Sequence, residues 1–296
     1  MEFGILGPVE AWRDGREVPL GGPKPRALVA MLLLADNDVV SRDRLIDGIW
    51  GGRPPSSAAH TLDDHVSRLR KALGPDRIQT RAPGYVLHIE PGELDLERFE
   101  RLLAEGRRAR RDGDAGFAAR ALREADSLWR GRPLADLEFE PFARVDVARL
   151  EELRLVAIEE RIEAEMALGR DGELIVELTQ LTGEHPWRER LHGQLMLALY
   201  RSGRQADALE AFRRAREVLV EQLGIEPGAE LADLHQAMLV HDRELDGPSV
   251  SPIADRRSTL PVPPNRTIGR DRELAAVGEW LRASSVRLLT LTGPAG

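Results

Sequence analysis

Residues 57–85 read SAAHTLDDHVSRLRKALGPDRIQTRAPGY, and this stretch decides the fold of the first part of the chain. Four apolar residues recur in it at spacings of four, three and four, the period of one helix face: Leu62, Val66, Leu69 and Leu73. Gly74-Pro75 ends the predicted helix. From Ile78 to Ile89, two short apolar runs flank Pro83-Gly84, which predicts a β-hairpin.

Two helices and a small sheet are predicted before this stretch. Asp14-Gly15 is a hairpin turn signal, and the runs around it predict short strands within residues 3–20. Residues 27–34 predict an apolar helix. Ser41 is a favourable N-cap for a second helix, which Gly51-Gly52 ends. Three helices followed by a hairpin is the order of elements in a winged helix.

The face of the third helix opposite its leucines collects short polar groups and cations, if each residue is turned by about 100°. Such groups suit base edges and phosphates, and the hairpin of a winged helix commonly adds backbone or minor-groove contacts. The candidate DNA contacts are Ser57, His60, Thr61, Asp64, His65, Ser67, Arg68, Arg70, Lys71, Arg77, Arg81 and Tyr85. For the helix alone, a solvated amphipathic face is the alternative interpretation, and the hairpin that follows it favours DNA binding.

The composition excludes several other classes of protein. Of the 296 residues, 42% are hydrophobic and 31% charged, as in a soluble globular protein, and aromatic residues at 4% favour helical packing over a β-sandwich. The chain has no Cys, which excludes disulfides and thiolate metal sites. His60 and His65 stand five residues apart, the wrong spacing for a shared metal ion. A net charge of −8 requires that any DNA-binding surface be local.

No leader peptide or membrane segment is predicted, because Met1 is followed by neither a basic region nor a long apolar run. The sequence therefore predicts a cytoplasmic protein, associated with the nucleoid if it binds DNA.

Helical patterns replace strand patterns from about Leu94 to Leu245. Apolar positions repeat with helical spacing in several consecutive segments, and Pro186 and Pro227 stand where first-turn prolines would open helices. Stacked helical hairpins of the tetratricopeptide kind are predicted, although these prolines are 41 residues apart and a standard repeat has about 34. An acidic group is interpreted as a solvated loop and helix start rather than a metal or catalytic site: Asp136, Glu138, Glu140 and Asp146.

Several motifs carry a family resemblance. TLDDHVSRLRKALG at residues 61–74 and RAPGY at residues 81–85 resemble the recognition helix and wing of OmpR-type winged helices. The segments LWRG (128–131), RLEELR (149–154), LYRSGRQADAL (199–209) and LGIEPG (223–228) resemble a bacterial transcriptional activation domain. Together they resemble the Streptomyces antibiotic regulatory protein (SARP) family over residues 3–245. Asp63 and Asp64 depart from the amide or basic residues common in that family, which leaves the base preference open.

The resemblance implies a mainly α protein, with an OmpR-type winged helix-turn-helix followed by an all-α, tetratricopeptide-like activation domain. It also implies a transcriptional activator that binds direct repeats in double-stranded promoter DNA as a side-by-side homodimer. Such an activator would recruit RNA polymerase through region 4 of the primary σ factor and the C-terminal domain of the α subunit, with the β and β′ subunits as further candidates. Its targets would be genes of secondary-metabolite (antibiotic) biosynthesis.

The last segment resembles the entry to an NTPase of the NB-ARC/STAND class. LTLTGPAG at residues 289–296 matches the strand and opening glycine of a P-loop, with Gly293 and Gly296 as candidate nucleotide-binding residues. The Lys and Ser/Thr that complete such a loop do not follow. We therefore expect no cofactor and no enzymatic activity in this chain, and expect it to be truncated from a larger regulator in which ATP and Mg²⁺ would bind.

Four segments follow from these patterns. They are a winged helix at residues 1–93, the activation domain at 94–245, a Pro-rich linker at 246–265 and the start of the NTPase domain at 266–296. Two other hypotheses stay open at this point: an NTPase switch whose main role is enzymatic, and a protein-interaction scaffold whose winged helix serves only as a dimer surface.

Overall fold

The computed structural model describes residues 1–247. The predicted linker beyond Gly247 and the P-loop residues Gly293 and Gly296 lie outside the described residues. Six short strands and ten α-helices are described, and none of these helices is long and apolar enough to cross a lipid bilayer. In chain order they are β1 (Glu2–Gly4), β2 (Glu10–Arg13), β3 (Arg16–Glu17), α1 (Pro23–Leu34), β4 (Val40–Ser41), α2 (Arg42–Trp50), α3 (Ala58–Leu73), β5 (Ile78–Arg81), β6 (Gly84–Leu87), α4 (Asp95–Arg111), α5 (Ala115–Ser127), α6 (Ala143–Met166), α7 (Asp171–Glu184), α8 (Glu189–Arg201), α9 (Gln205–Leu223) and α10 (Ala229–Leu239).

Two three-stranded antiparallel sheets frame the first three helices. Strands β1, β2 and β3 form one sheet in that order, and Asp14-Gly15, both with positive φ, makes the predicted turn between β2 and β3. The second sheet has the order β4-β6-β5, so the predicted hairpin gains a third strand from the residues just before α2. Strand β4 was not predicted, because two residues carry no period that a pattern can detect.

The helix boundaries follow the local signals. Helix α1 starts at Pro23, earlier than predicted, because proline fits the first turn of a helix. The Ser41 side chain accepts a hydrogen bond from the Arg44 amide and caps α2, and Gly51 ends α2 in the left-handed conformation, both as predicted. Helix α3 spans Ala58–Leu73 and stops at Gly74 as expected.

From α4 onward the described chain is helical, and consecutive helices pack against each other. Pro186 and Pro227 lie outside α8 and α10, because the N-caps of these helices are Arg188 and Gly228. The prediction that these prolines open the helices from within was therefore wrong by a few residues. The acidic residue Asp136 lies in a short 3-10 turn and accepts hydrogen bonds from the Val9 amide at 2.9 Å and from Arg26 at 3.0 Å.

Two apolar cores form, and they do not divide at the predicted domain boundary. The first core joins the winged helix to α4, α5 and α6, where it extends as far as Ala164; it includes Phe3 and Leu28 from one side and Phe99 and Trp129 from the other. The second core contains Leu155, Ile162 and Met166 of α6 together with residues of α7 to α10. Helix α6, with 24 residues, contributes to both cores.

A buried carboxylate links the residues just after β1 to the helical domain. Asp95, at the start of α4, accepts hydrogen bonds from the Ile5 amide at 2.9 Å and the Leu6 amide at 3.0 Å. Arg130 binds the same carboxylate at 3.0 Å. Burial raises the pKa of Asp95, and the two amides and Arg130 oppose that rise. The winged helix and the helices behind it are therefore held together by polar contacts as well as by the shared core.

Candidate nucleic-acid interface

Helix α3 presents the face that the sequence predicts. Leu62, Val66, Leu69 and Leu73 are buried against α1, α2 and the hairpin. The candidate contact residues of the helix and wing that are exposed are Ser57, His60, Asp64, Ser67, Arg68, Lys71 and Arg81. An amphipathic helix thus leaves one polar stripe in solvent, with two cations toward its C-terminal end.

The cations of this stripe have few internal partners. Arg81 ends β5 at the tip of the hairpin, and its closest side-chain partner among the described residues is Gln79, at 3.5 Å. Asp64 lies 3.8 Å from the His60 imidazole, which would carry charge only when protonated. Arg68, Lys71 and Arg81 therefore provide positive charge on the helix and the wing, as phosphate and base contacts require.

The hairpin lies close to the start of α2. Gly84 pairs with Ser41, and a Cβ atom at residue 84 would collide with the Val40 carbonyl, so this position requires glycine. Because β4 runs directly into α2, this contact fixes the wing relative to the three helices.

Three side chains form a cluster between α2, α3 and the wing, which we call the Arg42–Asp63–Tyr85 lock. Arg42 Nη1 lies 2.7 Å from both the Tyr85 hydroxyl and Asp63 Oδ1, and the Tyr85 hydroxyl donates to Asp63 Oδ1 at 2.5 Å. The hydrogen bond from Arg42 lowers the pKa of Asp63 and so keeps this carboxylate ionised. Burial and the neighbouring Asp63 raise the pKa of Tyr85, which keeps its hydroxyl protonated as a donor.

The structure revises the predicted roles of Arg70, Arg77 and Tyr85. Arg70 donates to the Ile78 carbonyl and to the Thr80 hydroxyl, both at 2.8 Å, and so joins α3 to β5. Arg77 makes a bidentate pair with Glu93 at 2.5 and 2.7 Å. Tyr85 is only 4% exposed, and its hydroxyl is bound in the lock. The polar groups of these three residues hold the hairpin in place, so we drop them from the set of proposed DNA contacts.

Two further candidates are only partly available. The Thr61 hydroxyl donates to the Ser57 carbonyl at 3.0 Å within the helix. His65 is half-buried, and its two ring nitrogens are buried without a hydrogen-bond partner among the described residues. Burial lowers the pKa of His65, with Arg68 and Lys24 adding to the effect, so the ring is neutral at neutral pH.

The sequence patterns missed Lys24, Arg42 and the role of Asp63. Lys24 lies 5.0 Å from the centre of the Trp50 ring, and its charge helps to lower the pKa of His65 on α3. One feature of the sequence could have pointed to Asp63: a negative charge is unexpected next to a helix face that is predicted to bind DNA, which is itself an anion. Its partner Arg42 comes from another helix and could not be identified from spacing alone.

No group of three or more His, Cys, Asp or Glu side chains within residues 1–247 is arranged to hold a metal ion.

Comparison with known proteins assigns this arrangement to a family. Residues 15–87 match the model "Transcriptional regulatory protein, C terminal", and residues 94–239 match the "Bacterial transcriptional activator domain". The regulatory protein DnrI of Streptomyces peucetius is 40% identical over 267 residues, a match that covers 86% of this chain and 98% of DnrI. The chain belongs to the SARP family of transcriptional regulators.

Other SARP relatives agree on the fold and differ in length. The regulatory protein AfsR of Streptomyces griseus is 38% identical over 300 residues, and the match covers the whole of this chain but only 31% of AfsR. A solved structure of Mycobacterium tuberculosis EmbR, in complex with a low-affinity phosphopeptide, superimposes with a TM-score of 0.79 at 40% identity. That match covers 81% of this chain and 65% of the EmbR chain. The predicted fold class, an OmpR-type winged helix followed by a helical activation domain, is confirmed.

Proposed function

We propose that this SARP regulator is a sequence-specific DNA-binding activator that recruits RNA polymerase to promoters with direct repeats. The observation that carries the proposal is the exposed stripe of α3, where Arg68 and Lys71 lie beside Ser67 and His60, while the lock and Arg70 hold the wing next to it. An exposed polar helix face beside a fixed hairpin is what major-groove reading requires.

The finer roles follow from this geometry. Arg68 would contact a guanine edge or a phosphate, Lys71 a phosphate, and Arg81 the backbone or minor groove beside the wing. Two copies would lie side by side on the repeats, in the cytoplasm at the nucleoid. Their helical domains would contact region 4 of the primary σ factor and the C-terminal domain of the α subunit, with the β and β′ subunits as further candidates. The genes controlled would be those of secondary-metabolite biosynthesis.

The decisive experiment is footprinting on the chain's own promoter region, with and without RNA polymerase. We expect two protected repeats at low salt, and an extended footprint when polymerase is added. Absence of protection on any promoter DNA at low salt would leave the scaffold hypothesis in its place. Protection without any effect on polymerase occupancy would remove recruitment from the proposal.

Substitutions on α3 test how the DNA is read. Arg68→Ala should cost about 1–3 kcal/mol of binding free energy and relax specificity at one base position, if this residue reads a base. Lys71→Ala should weaken binding to all sequences alike. It should also reduce the slope of the logarithm of the binding constant against the logarithm of salt concentration by about one, because one phosphate contact is lost. Arg111→Ala is the matched control, because Arg111 is an exposed arginine on α4, outside the winged helix. Equal losses for Arg68→Ala and Arg111→Ala in gel-shift titrations would show that only net charge matters.

A further inference from the structure

A lysine at the start of α1 is supported by an aromatic ring from α2. Lys24 is the second residue of α1 and is exposed, and its Nζ atom lies 5.0 Å from the centre of the Trp50 ring. A cation is attracted to the negative face of an aromatic ring, which limits the positions that a flexible lysine side chain adopts. Trp50 is half-buried and packs against the first core, so its ring is a fixed support.

The ammonium group of Lys24 keeps its full charge. It makes no ion pair within residues 1–247, and the first turn of α1 contains no acidic side chain. Arg26, two residues further along, differs in this respect because Asp136 pairs with it at 3.0 Å. An aromatic ring holds a cation without neutralising it. Lys24 is therefore available to an anion from outside the chain.

Lys24 lies on the flank of α3 that faces away from the wing. If the residues of α3 are turned by about 100° each, His65 and Arg68 fall on one side of the exposed stripe. Asp63 and Arg70, which bond to the wing, fall on the other side. Burial lowers the pKa of His65, and the positive charges of Arg68 and Lys24 lower it further, which places Lys24 on the His65 side.

A helix that enters the major groove has one sugar-phosphate backbone on each side of it. On the wing side, Arg81 at the end of β5 supplies positive charge. On the other side, positive charge comes from Lys24 and from Arg68 at the edge of the stripe. The winged helix thus carries cations on both flanks of α3.

We propose that Lys24 binds a phosphate of the DNA backbone on the side of the major groove opposite the wing, with Trp50 as its support. The inference rests on the DNA binding proposed above and adds a contact from α1, outside the stripe and the wing. Phosphate contacts orient a protein on the duplex. Lys24 and Arg81 would therefore fix the orientation of α3 between the two backbones.

The salt dependence of binding tests for a phosphate contact. With the full chain and the promoter DNA that footprinting identifies, Lys24→Ala should weaken binding about 5- to 10-fold near 0.1 M salt. It should also reduce the slope of the logarithm of the binding constant against the logarithm of salt concentration by about one. Lys24→Arg keeps the charge and should keep the slope. Equal slopes for Lys24→Ala and the parent chain would overturn the proposal.

Arg16→Ala is the matched control for the loss of one positive charge. Arg16 is exposed on β3 of the same domain, next to Gly15, which lines a groove with Arg98 of α4. The salt slope of this variant should equal that of the parent chain. A slope reduced as much as in Lys24→Ala would show that net charge, and not a contact at Lys24, is responsible.

Ethylation interference locates the contacted phosphate. Ethylating a phosphate removes its charge, so the interference should disappear in the variant that lacks the contacting cation. We expect the phosphates that lose interference in Lys24→Ala and in Arg81→Ala to lie on opposite sides of the major groove. Loss at the same backbone in both variants would refute the placement of Lys24.

A double-mutant cycle tests the support by the ring. Trp50→Leu should weaken DNA binding about 2- to 5-fold, the value of one cation–π contact, and should have no further effect when Lys24 is already alanine. Trp50→Phe keeps an aromatic face and should lose less. An undiminished effect of Trp50→Leu in the Lys24→Ala chain would show that the ring acts without Lys24. The Lys24 variants change only an exposed side chain, so they provide the test if Trp50→Leu fails to fold.

Two further results separate this contact from the proposed function. In the absence of DNA, Lys24→Ala should raise the pKa of His65 in an NMR titration, because a nearby positive charge is removed. An unchanged pKa would refute the position beside α3. If Arg68→Ala weakens DNA binding and Lys24→Ala does not, the Lys24 contact falls and the proposed function stands. If the parent chain binds no promoter DNA, both fall.

Discussion

Asp63 is a partly exposed carboxylate on the helix proposed to meet DNA, and its side-chain partners are Arg42 and Tyr85. A negative charge on such a helix would repel phosphate if it stood alone. Here the carboxylate is neutralised by the Arg42 guanidinium from α2 and accepts a hydrogen bond from the Tyr85 hydroxyl of the wing. Asp63 is therefore a positioning residue, and its neighbour Asp64 provides a natural comparison.

Asp63→Asn should destabilise the fold by about 1 kcal/mol, because it removes the charge-assisted bond to Arg42 from a partly exposed site. Operator affinity should fall as well, since the wing loses one of its contacts with α3 while those of Arg70 remain. Asp64→Asn changes an exposed side chain whose one ion pair within residues 1–247 is with His60 at 3.8 Å, and it should change stability by less than about 0.5 kcal/mol. Urea unfolding and gel-shift titrations measure both effects. Equal stability losses for the two variants would contradict the lock.

The pH dependence of this effect follows from the lowered pKa of Asp63. A carboxyl group whose folded pKa is depressed contributes stability that is complete above its unfolded pKa, about 3.9, and is lost as the pH falls through the folded pKa. The difference between the parent chain and Asp63→Asn should therefore stay constant from about pH 5 to pH 8 and shrink below about pH 4. A difference that shrinks near neutral pH would point to a group other than Asp63.

For single residues, the spacing of apolar positions in the sequence predicted which side chains are exposed, but not which of them have partners within the chain. The period of the leucines fixes the polar stripe of α3, and the exposed positions of His60, Arg68 and Lys71 follow from it. The bonds of Arg77 to Glu93 and of Tyr85 to Asp63 depend on how the hairpin folds back on the helices. Such contacts are set by tertiary packing, which a one-dimensional pattern does not contain.

Among the elements, α4 and α5 pack tightly against each other at a glycine. A Cβ atom at Gly106 would stand 2.6 Å from Leu122 Cγ, closer than carbon atoms can pack. The two helices meet here at the edge of the first core, where Leu122 is fully buried. The glycine thus sets the distance between the two helices.

Gly106→Ala should destabilise the chain by about 1–3 kcal/mol through overpacking, despite the better helix propensity of alanine. Gly183→Ala in α7 is the control, because no atom lies within 4 Å of its added methyl group. That variant should gain up to about 1 kcal/mol. Thermal unfolding distinguishes the two, and a stabilised Gly106→Ala protein would show that α5 moves away without cost.

Element boundaries were predicted best where a single residue determines them. Ser41 and Gly51 cap α2 through their own chemistry, so the sequence contains the whole signal. The two-residue strand β4 exists only because Gly84 lets β6 pair beside it. Its cause lies more than forty positions along the chain, which explains why the local pattern does not show it.

For the whole molecule, the contact between Asp95, the Ile5 and Leu6 amides just after β1, and Arg130 joins the winged helix to the first helices of the helical domain. The first core crosses residue 94 without interruption, since Phe99 and Trp129, with ring centres 5.2 Å apart, lie in the same core as Phe3. Composition and motifs divide the chain at the point where strands give way to helices. Packing divides it within α6.

Asp95→Ala should destabilise the protein by about 2–4 kcal/mol, because it leaves two buried amides and part of Arg130 without a partner. Hydrogen exchange should accelerate at the Ile5 and Leu6 amides more than at the amides of the first sheet. Asp112→Ala, at the exposed end of α4, serves as the control. Unchanged exchange at Ile5 and Leu6 in Asp95→Ala would show that other contacts hold this segment in place.

Helix α6 runs through both cores over 24 residues, a length of roughly 36 Å. Under the proposed mode of binding, the helical domain of each copy would then project from the DNA in one fixed direction relative to its winged helix. One base pair added between two sites turns the second copy by about 35° about the DNA axis, and a stiff connection cannot turn it back. Promoters for such a regulator would be selected by helical phase, with spacings of whole turns favoured over intermediate ones.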